Sequence, residues 1–381
     1  LKERRQPYNV PNIPAQPEGI WQAADQAKEH SVTGRQRQLA AIAHNVPDRI
    51  PVDYICVDDP APVMKAAGRD DDDIDNLLGR DGRVICAWDY AGPTGTDADG
   101  KPQDLWGFEG RYDYGTTHDY PLASATSVKQ VEQFAWPDAK LFRDYPTVRA
   151  SALAWNRQYA VRGPYWISAP LFCTTCNLFG MEEAMVKMMQ EPDVFEACVE
   201  QVMTFSEEYV RLFVDAMGDA LDILHLCDDF ASQRGLMFDP ALWRRYFKPR
   251  YARLFEIGKS RGLPVWFHSC GDVTPVLENL IEIGMDVWET VQLHALPISP
   301  QELKRQYGRH VTFFGAINTQ RLPFAGEQQV RAEVRQVCDA LGEQGGFICG
   351  PDHHVKPDVP TANTLALFDE ATHFRRPGYT L

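Results

Sequence analysis

Pro264-Val265-Trp266-Phe267-His268-Ser269-Cys270-Gly271 reads as a short buried strand that ends on a histidine, a cysteine and a glycine. Apolar residues fill Val265 to Phe267, and Thr274-Pro275 then supply an N-cap residue and a first-turn proline for the next helix. Residues two apart at a strand end point to the same side of the pleat, so His268 and Cys270 are expected to face one point in space. Imidazole nitrogen with thiolate sulfur is a ligand pair suited to a borderline-soft cation such as Zn²⁺. A complete site needs further ligands from elsewhere in the chain.

The wider pattern makes this strand one of about eight. Candidate strands are Arg49–Ile55, Val84–Trp88, Tyr165–Ala169, Leu221–Leu226, Val265–Phe267, Val287–Val291, Val311–Ala316 and Phe347–Gly350, and amphipathic helical stretches separate most of them. Helices are expected over Gln36–His44 and Glu191–Met217, after the capping box Ser299-Pro300-Gln301-Glu302, and along the stripe Val334, Val337, Cys338 and Leu341. No glycine-rich dinucleotide turn follows the first strand. Strand–helix alternation therefore predicts an α/β fold, a (β/α)₈ TIM barrel, over an open doubly wound sheet. The whole chain of 381 residues is expected to be one such domain, with an N-terminal arm at 1–33 and a Gly-, Pro- and aromatic-rich insertion at 90–145 near the C-terminal rim. The acidic run Asp70–Asp73 is read as a solvated loop or helix start.

Composition narrows the partners. A formal charge of -15 argues against nucleic acid and anionic membranes. No apolar run is long enough to span a bilayer, and no signal segment is evident at the start. Nine scattered cysteines suit a reducing cytoplasm.

In a barrel of this kind, chemistry collects at the C-terminal ends of the strands. Glu289 ends Asp286-Val287-Trp288-Glu289, and Cys349 ends Gly346-Phe347-Ile348-Cys349. His268, Cys270 and Cys349 are the predicted zinc ligands, with Glu289 as a fourth. The alternatives are that Cys349 is a packed core thiol, that Glu289 binds substrate, or that the metal is structural. Asp228 and Asp229 end another strand, so one of them is expected beside substrate or a zinc ligand. Asn318, His353 and His354 lie just past strand ends as candidate substrate contacts. Cys173-Thr174-Thr175-Cys176 has redox or metal spacing, but one such motif is weak, and two packed thiols are the simpler expectation. His225, Cys198 and Cys338 read as core residues.

The segments His268–Asp272, Phe313–Gln320 and Pro351–Pro360, with Asp48–Asp53 and Asp228–Gly235, resemble the uroporphyrinogen decarboxylase superfamily. The resemblance covers about residues 34–375 and implies the same barrel. Within that superfamily, the branch that transfers methyl groups from corrinoid proteins to thiols is similar in its His-x-Cys…Cys zinc motif, which His268, Cys270 and Cys349 match. Two departures qualify it. No arginine-rich segment stands where uroporphyrinogen decarboxylases hold substrate carboxylates. The corresponding stretch, Asp53-Tyr54-Ile55-Cys56-Val57-Asp58-Asp59, would repel a polyanion. Nor is there an Asp-x-His-x-x-Gly corrinoid-binding sequence.

The resemblance thus implies a zinc methyltransferase that moves methyl between a thiol and cobalamin or another corrinoid, which arrives free or on a separate protein. Glu289 and Asp229 are its candidate catalytic carboxylates, and Asp228, Asn318, His353 and His354 its candidate substrate contacts. Two readings compete with it: a component that demethylates a methoxylated aromatic or similar donor onto a corrinoid protein, and a decarboxylase-like or non-catalytic ligand-binding barrel.

Overall fold

The computed structural model describes residues 32–69, 73–96, 100, 103–108, 120–168 and 170–375. Most of the N-terminal arm, Asp70 to Asp72 of the acidic run, Ala169 and much of the 90–145 insertion lie outside these residues. Seven parallel strands form one curled sheet in chain order: β1 (Gly82–Val84), β2 (Ala160–Pro164), β3 (Ile223–Cys227), β4 (Val265–His268), β5 (Val287–Val291), β6 (Thr312–Ile317) and β7 (Phe347–Pro351). A short eighth segment closes the ring. Val52 pairs in parallel with Cys349 of β7, and the Asp81 N–H, just before β1, donates to Val52 O at 2.8 Å. The fold is a TIM-barrel-like α/β structure. Gly350 makes the closure possible, because a Cβ there would stand 1.9 Å from Asp53 O.

Alternation along each strand sorts side chains inward and outward. Trp266 meets Val287, Phe314 and Ile348 inside the barrel, with Ala41 and Ile42 of the helix Gly34–Ile42 packed against them. That helix closes the N-terminal floor, where Ala41 O accepts from Gly346 N just before β7. Phe267 points the other way, onto Tyr251 and Phe255 of the outer helix Lys248–Lys259.

Two predicted strands are displaced: the one expected over Val84–Trp88 is Gly82–Val84, and the one expected over Tyr165–Ala169 lies earlier in the chain. Tyr165 to Ser168 form a 3₁₀ turn, and the strand is the preceding Ala160–Pro164. Its inward Arg162 looks unsuited to a core, but Asp53 neutralises it inside the barrel at 3.2 Å from Nη2. Thr274 is the first residue of its helix and not the cap: the Asp272 carboxylate accepts its N–H at 2.9 Å. Ser299 does cap, accepting from Glu302 N at 3.2 Å. In the insertion, Trp106 and Phe142 pack on Phe205 and Tyr209 of the long helix Pro192–Met217, on the flank of the barrel.

Candidate metal centre

At the top of β4, His268 and Cys270 do converge: His268 Nε2 lies 3.5 Å from Cys270 Sγ. The third ligand-type atom comes from His353, two residues beyond β7. Nitrogen or sulfur atoms of His268, Cys270 and His353 all lie within 4.8 Å of one another. Two imidazoles and a thiol are donors that zinc takes, and three protein ligands leave a coordination position for substrate. The residues fit such an ion.

Cys349 does not join them. On β7 the inward residues are Ile348 and Gly350, so Cys349 faces the outer helix Glu327–Leu341, where its thiol is hydrogen-bonded with Cys338. Pleat parity removes it from the predicted ligand set, and His353 stands in its place. Glu289 is also not a ligand here, because its oxygens are taken by side chains below the cluster. Oε1 lies 2.8 Å from His268 Nδ1, and Oε2 accepts from Trp266 Nε1 and lies 3.3 Å from His225 Nε2. By occupying Nδ1, Glu289 aims His268 Nε2 at Cys270, the usual arrangement behind a ligating histidine.

The electrostatics agree with these roles. Burial alone would raise the Glu289 carboxyl, but His225 and His268 outweigh it and hold it well below the usual range, so it is ionised. Burial lowers His225 to about 4. His353 is lowered to about 3, by burial and then by His354 and His268, and so presents a neutral ring with a free lone pair for a cation. Burial, then the Asp229 carboxylate, push the Cys270 thiol well above its usual range, and a bound cation is what would ionise it.

The carboxylates after β3 divide. Asp229 Oδ1 accepts from Cys270 N at 2.7 Å and stands 3.6 Å from His268 Nε2, beside the cluster. Asp228 turns away from it. Its oxygens accept from Phe172 N, Cys173 N and the Tyr251 hydroxyl, which caps the helix Leu171–Phe179 and leaves it no place as a substrate contact. Cys173 and Cys176 lie buried on that helix without a disulfide between them, and Cys173 Sγ accepts from Asp229 N at 3.4 Å. Asn318 is spent on a turn, accepting from Gln320 N at 2.9 Å, and does not line the cavity described next.

A cavity of about 470 Å³ opens above Cys270 and His353, and His354, Lys356 and Gln292 also line it. His354 pairs with Asp58 at 2.8 Å. No described residue of the 90–145 insertion lines this cavity. Gly271 permits the turn between Cys270 and the wall: its φ is +82°, and a Cβ would meet Ser232 O at 2.4 Å. Sequence reasoning missed Gln292, although it stands one residue past Val291 at the end of β5, where the strand-end rule applies. Trp266 gave no polar signal, because its indole N–H matters only once Glu289 is opposite it.

A model of the uroporphyrinogen decarboxylase (URO-D) family matches residues 166–374. The chain belongs to the uroporphyrinogen decarboxylase family. The uroporphyrinogen decarboxylase of Pelobacter propionicus is 27% identical over 180 residues, 46% of this chain and 48% of that protein. That of Geobacter sulfurreducens is 23% identical over 262 residues, 67% of this chain and 72% of that protein. The match with the first of these thus spans about half of the relative's length. Among solved structures, a methyltransferase from Methanosarcina mazei superposes over 90% of this chain and 99% of its own, with a TM-score of 0.59 and 16% identity. That likeness is one of fold. Among the described residues no helix is long and apolar enough to cross a membrane.

Proposed function

We propose that this family member is a zinc-dependent methyltransferase that transfers a methyl group between a corrinoid and a thiol. The observation that carries the reading is the convergence of His268, Cys270 and His353 within 4.8 Å beneath the cavity. Zinc held there would bind the substrate thiol as thiolate at neutral pH. Glu289 fixes the His268 ring, and Asp229 fixes the backbone of Cys270. Asp229 also stands where it can take up the proton that the thiol releases. The cavity of about 470 Å³ suits the thiol, while a corrin ring, far larger, would be met at the mouth, where Phe324 is 87% exposed. In the forward direction the thiolate sulfur bonds to the methyl carbon as the carbon–cobalt bond breaks, and both bonding electrons stay on cobalt.

Metal analysis and a transfer assay test this together. Wild type should carry about one zinc per chain and convert methylcobalamin to cob(I)alamin with a thiol, followed in the visible spectrum. Cys270→Ala should bind zinc more than ~100-fold more weakly, beyond the range for loss of an outer partner, and lose the transfer. Its far-UV spectrum should be unchanged. Zinc retained in full by Cys270→Ala would remove the centre from the proposal.

A further inference from the structure

Gln292 is 7% exposed, yet it lines the cavity beside Cys270 and Gly271. Its Oε1 accepts the Gly271 backbone N–H at 2.8 Å. A backbone N–H only donates, so the amide oxygen must face Gly271, and the Nε2 amino group is left toward the cavity. The Gly271 turn, where a Cβ would stand 2.4 Å from Ser232 O, holds that orientation. The wall thus carries a rigid, uncharged hydrogen-bond donor next to the residue that would hold the metal.

The charges around it are nearly cancelled. Lys356 is paired with Asp58 at 2.9 Å, Asp358 adds a negative charge, and no arginine is among the described residues that line the cavity. The other polar groups on the wall include the amides Gln233 and Gln320 and the hydroxyls Ser232 and Thr319. A polycarboxylate would enter without the cations needed to offset its desolvation.

We infer that Gln292 selects the substrate: it donates from Nε2 to a neutral oxygen, an ether, hydroxyl or carbonyl, carried by an uncharged thiol. This rests on the metal–thiol reading above and specifies its substrate class.

The test is calorimetric binding to the zinc-loaded protein, with no turnover involved. The probes are 2-methoxyethanethiol, its isostere 1-butanethiol (CH₂ in place of the ether oxygen) and the anionic 3-mercaptopropionate. One neutral hydrogen bond corresponds to roughly fivefold in affinity. The ratio of the ether's affinity to butanethiol's should therefore fall about fivefold in Gln292→Glu, which keeps the acceptor for Gly271 N–H but loses both donors. Gln292→Met, which keeps the volume, should give the same fall. Zinc content should equal wild type in both variants, and 3-mercaptopropionate should bind no more tightly than the ether. A ratio unmoved by either variant, or a clear preference for the anion, overturns the inference and leaves the metal–thiol reading standing. Failure of every thiol to bind a fully zinc-loaded wild type overturns both.

Discussion

The barrel interior holds two buried polar regions that obey opposite rules. Toward the floor, the charges of Asp53 and Asp81 are answered. Asp53 accepts from Arg80 Nε at 2.7 Å, Arg162 Nη2 at 3.2 Å and Gln38 Nε2 at 2.9 Å, and Asp81 binds both Arg37 and Arg49 at 2.7 and 2.8 Å. At the rim, the nitrogen of His268 and the sulfur of Cys270 face each other and a third donor, His353. Trp266 joins the regions: Arg162 lies over its ring at 4.5 Å, while its indole N–H donates upward to Glu289. Matched ion pairs need nothing more and hold the barrel closed. At the rim a cation would take the place of the proton shared between His268 Nε2 and the Cys270 thiol, which is how a binding centre differs from a structural one.

This contrast is broken most severely at the floor. Asp53→Ala leaves Arg162 buried without a counter-charge and Arg80 with Asp75 alone, which should cost ~3–5 kcal/mol in unfolding free energy. Zinc bound per folded chain should not change. Urea unfolding with metal analysis of the folded fraction checks both, and loss of zinc with unchanged stability would reverse the assignment of the two regions.

Glu289→Gln tests the link between them. The amide can still face His268, but the negative charge that fixes its tautomer is gone. Zinc affinity should fall roughly 10–100-fold, as for other outer partners of ligating histidines. Competition with a chelator measures it. A drop as large as that in Cys270→Ala would make Glu289 a ligand after all.

Acid should reveal the floor through its own window. Burial raises the Asp53 carboxyl, but Arg162 and then Arg80 more than offset this and bring it to about 2. A depressed carboxyl gives stability that is fully present above the unfolded value near 4 and is lost as pH falls toward 2. The contribution is on the order of 2 kcal/mol. Unfolding of metal-free protein across that range should show it, and Asp53→Asn should flatten it.

How much of this the sequence disclosed depended on which physical rule was local. His268 and Cys270 were legible because two residues of one strand share a face whatever the rest of the chain does. The barrel was legible from alternation, and the polar residues at strand ends led to Glu289, Asp229 and His353. The phase of β7 was not legible: Phe347, Ile348 and Cys349 are all suited to a strand buried on both faces, so nothing local told inward from outward. Arg162 hid a strand for a different reason. A buried arginine followed by Gly163-Pro164 reads as a loop until Asp53, more than a hundred positions earlier, is known to face it. Roles fixed by a distant partner, such as those of Trp266 and Asp228, share that obstacle.

Cys349→Ala has the smallest expected effect and separates the two ends of the comparison most cleanly. Cys349 is fully buried, with its thiol against Cys338 and its backbone in the closing pairing with Val52. Alanine keeps that backbone pairing and removes only a sulfur from an outward-facing pocket. The cost should be ~1 kcal/mol, a small cavity plus one weak hydrogen bond. Zinc content should match wild type, because the ligands are the rim residues and not the cysteine that ends the strand. Measured beside Cys270→Ala, the pair becomes two Cys-to-Ala changes in one barrel, one costing metal and the other costing stability. If Cys349→Ala releases the zinc, β7 turns its other face inward, and His353 gives up its place in the centre.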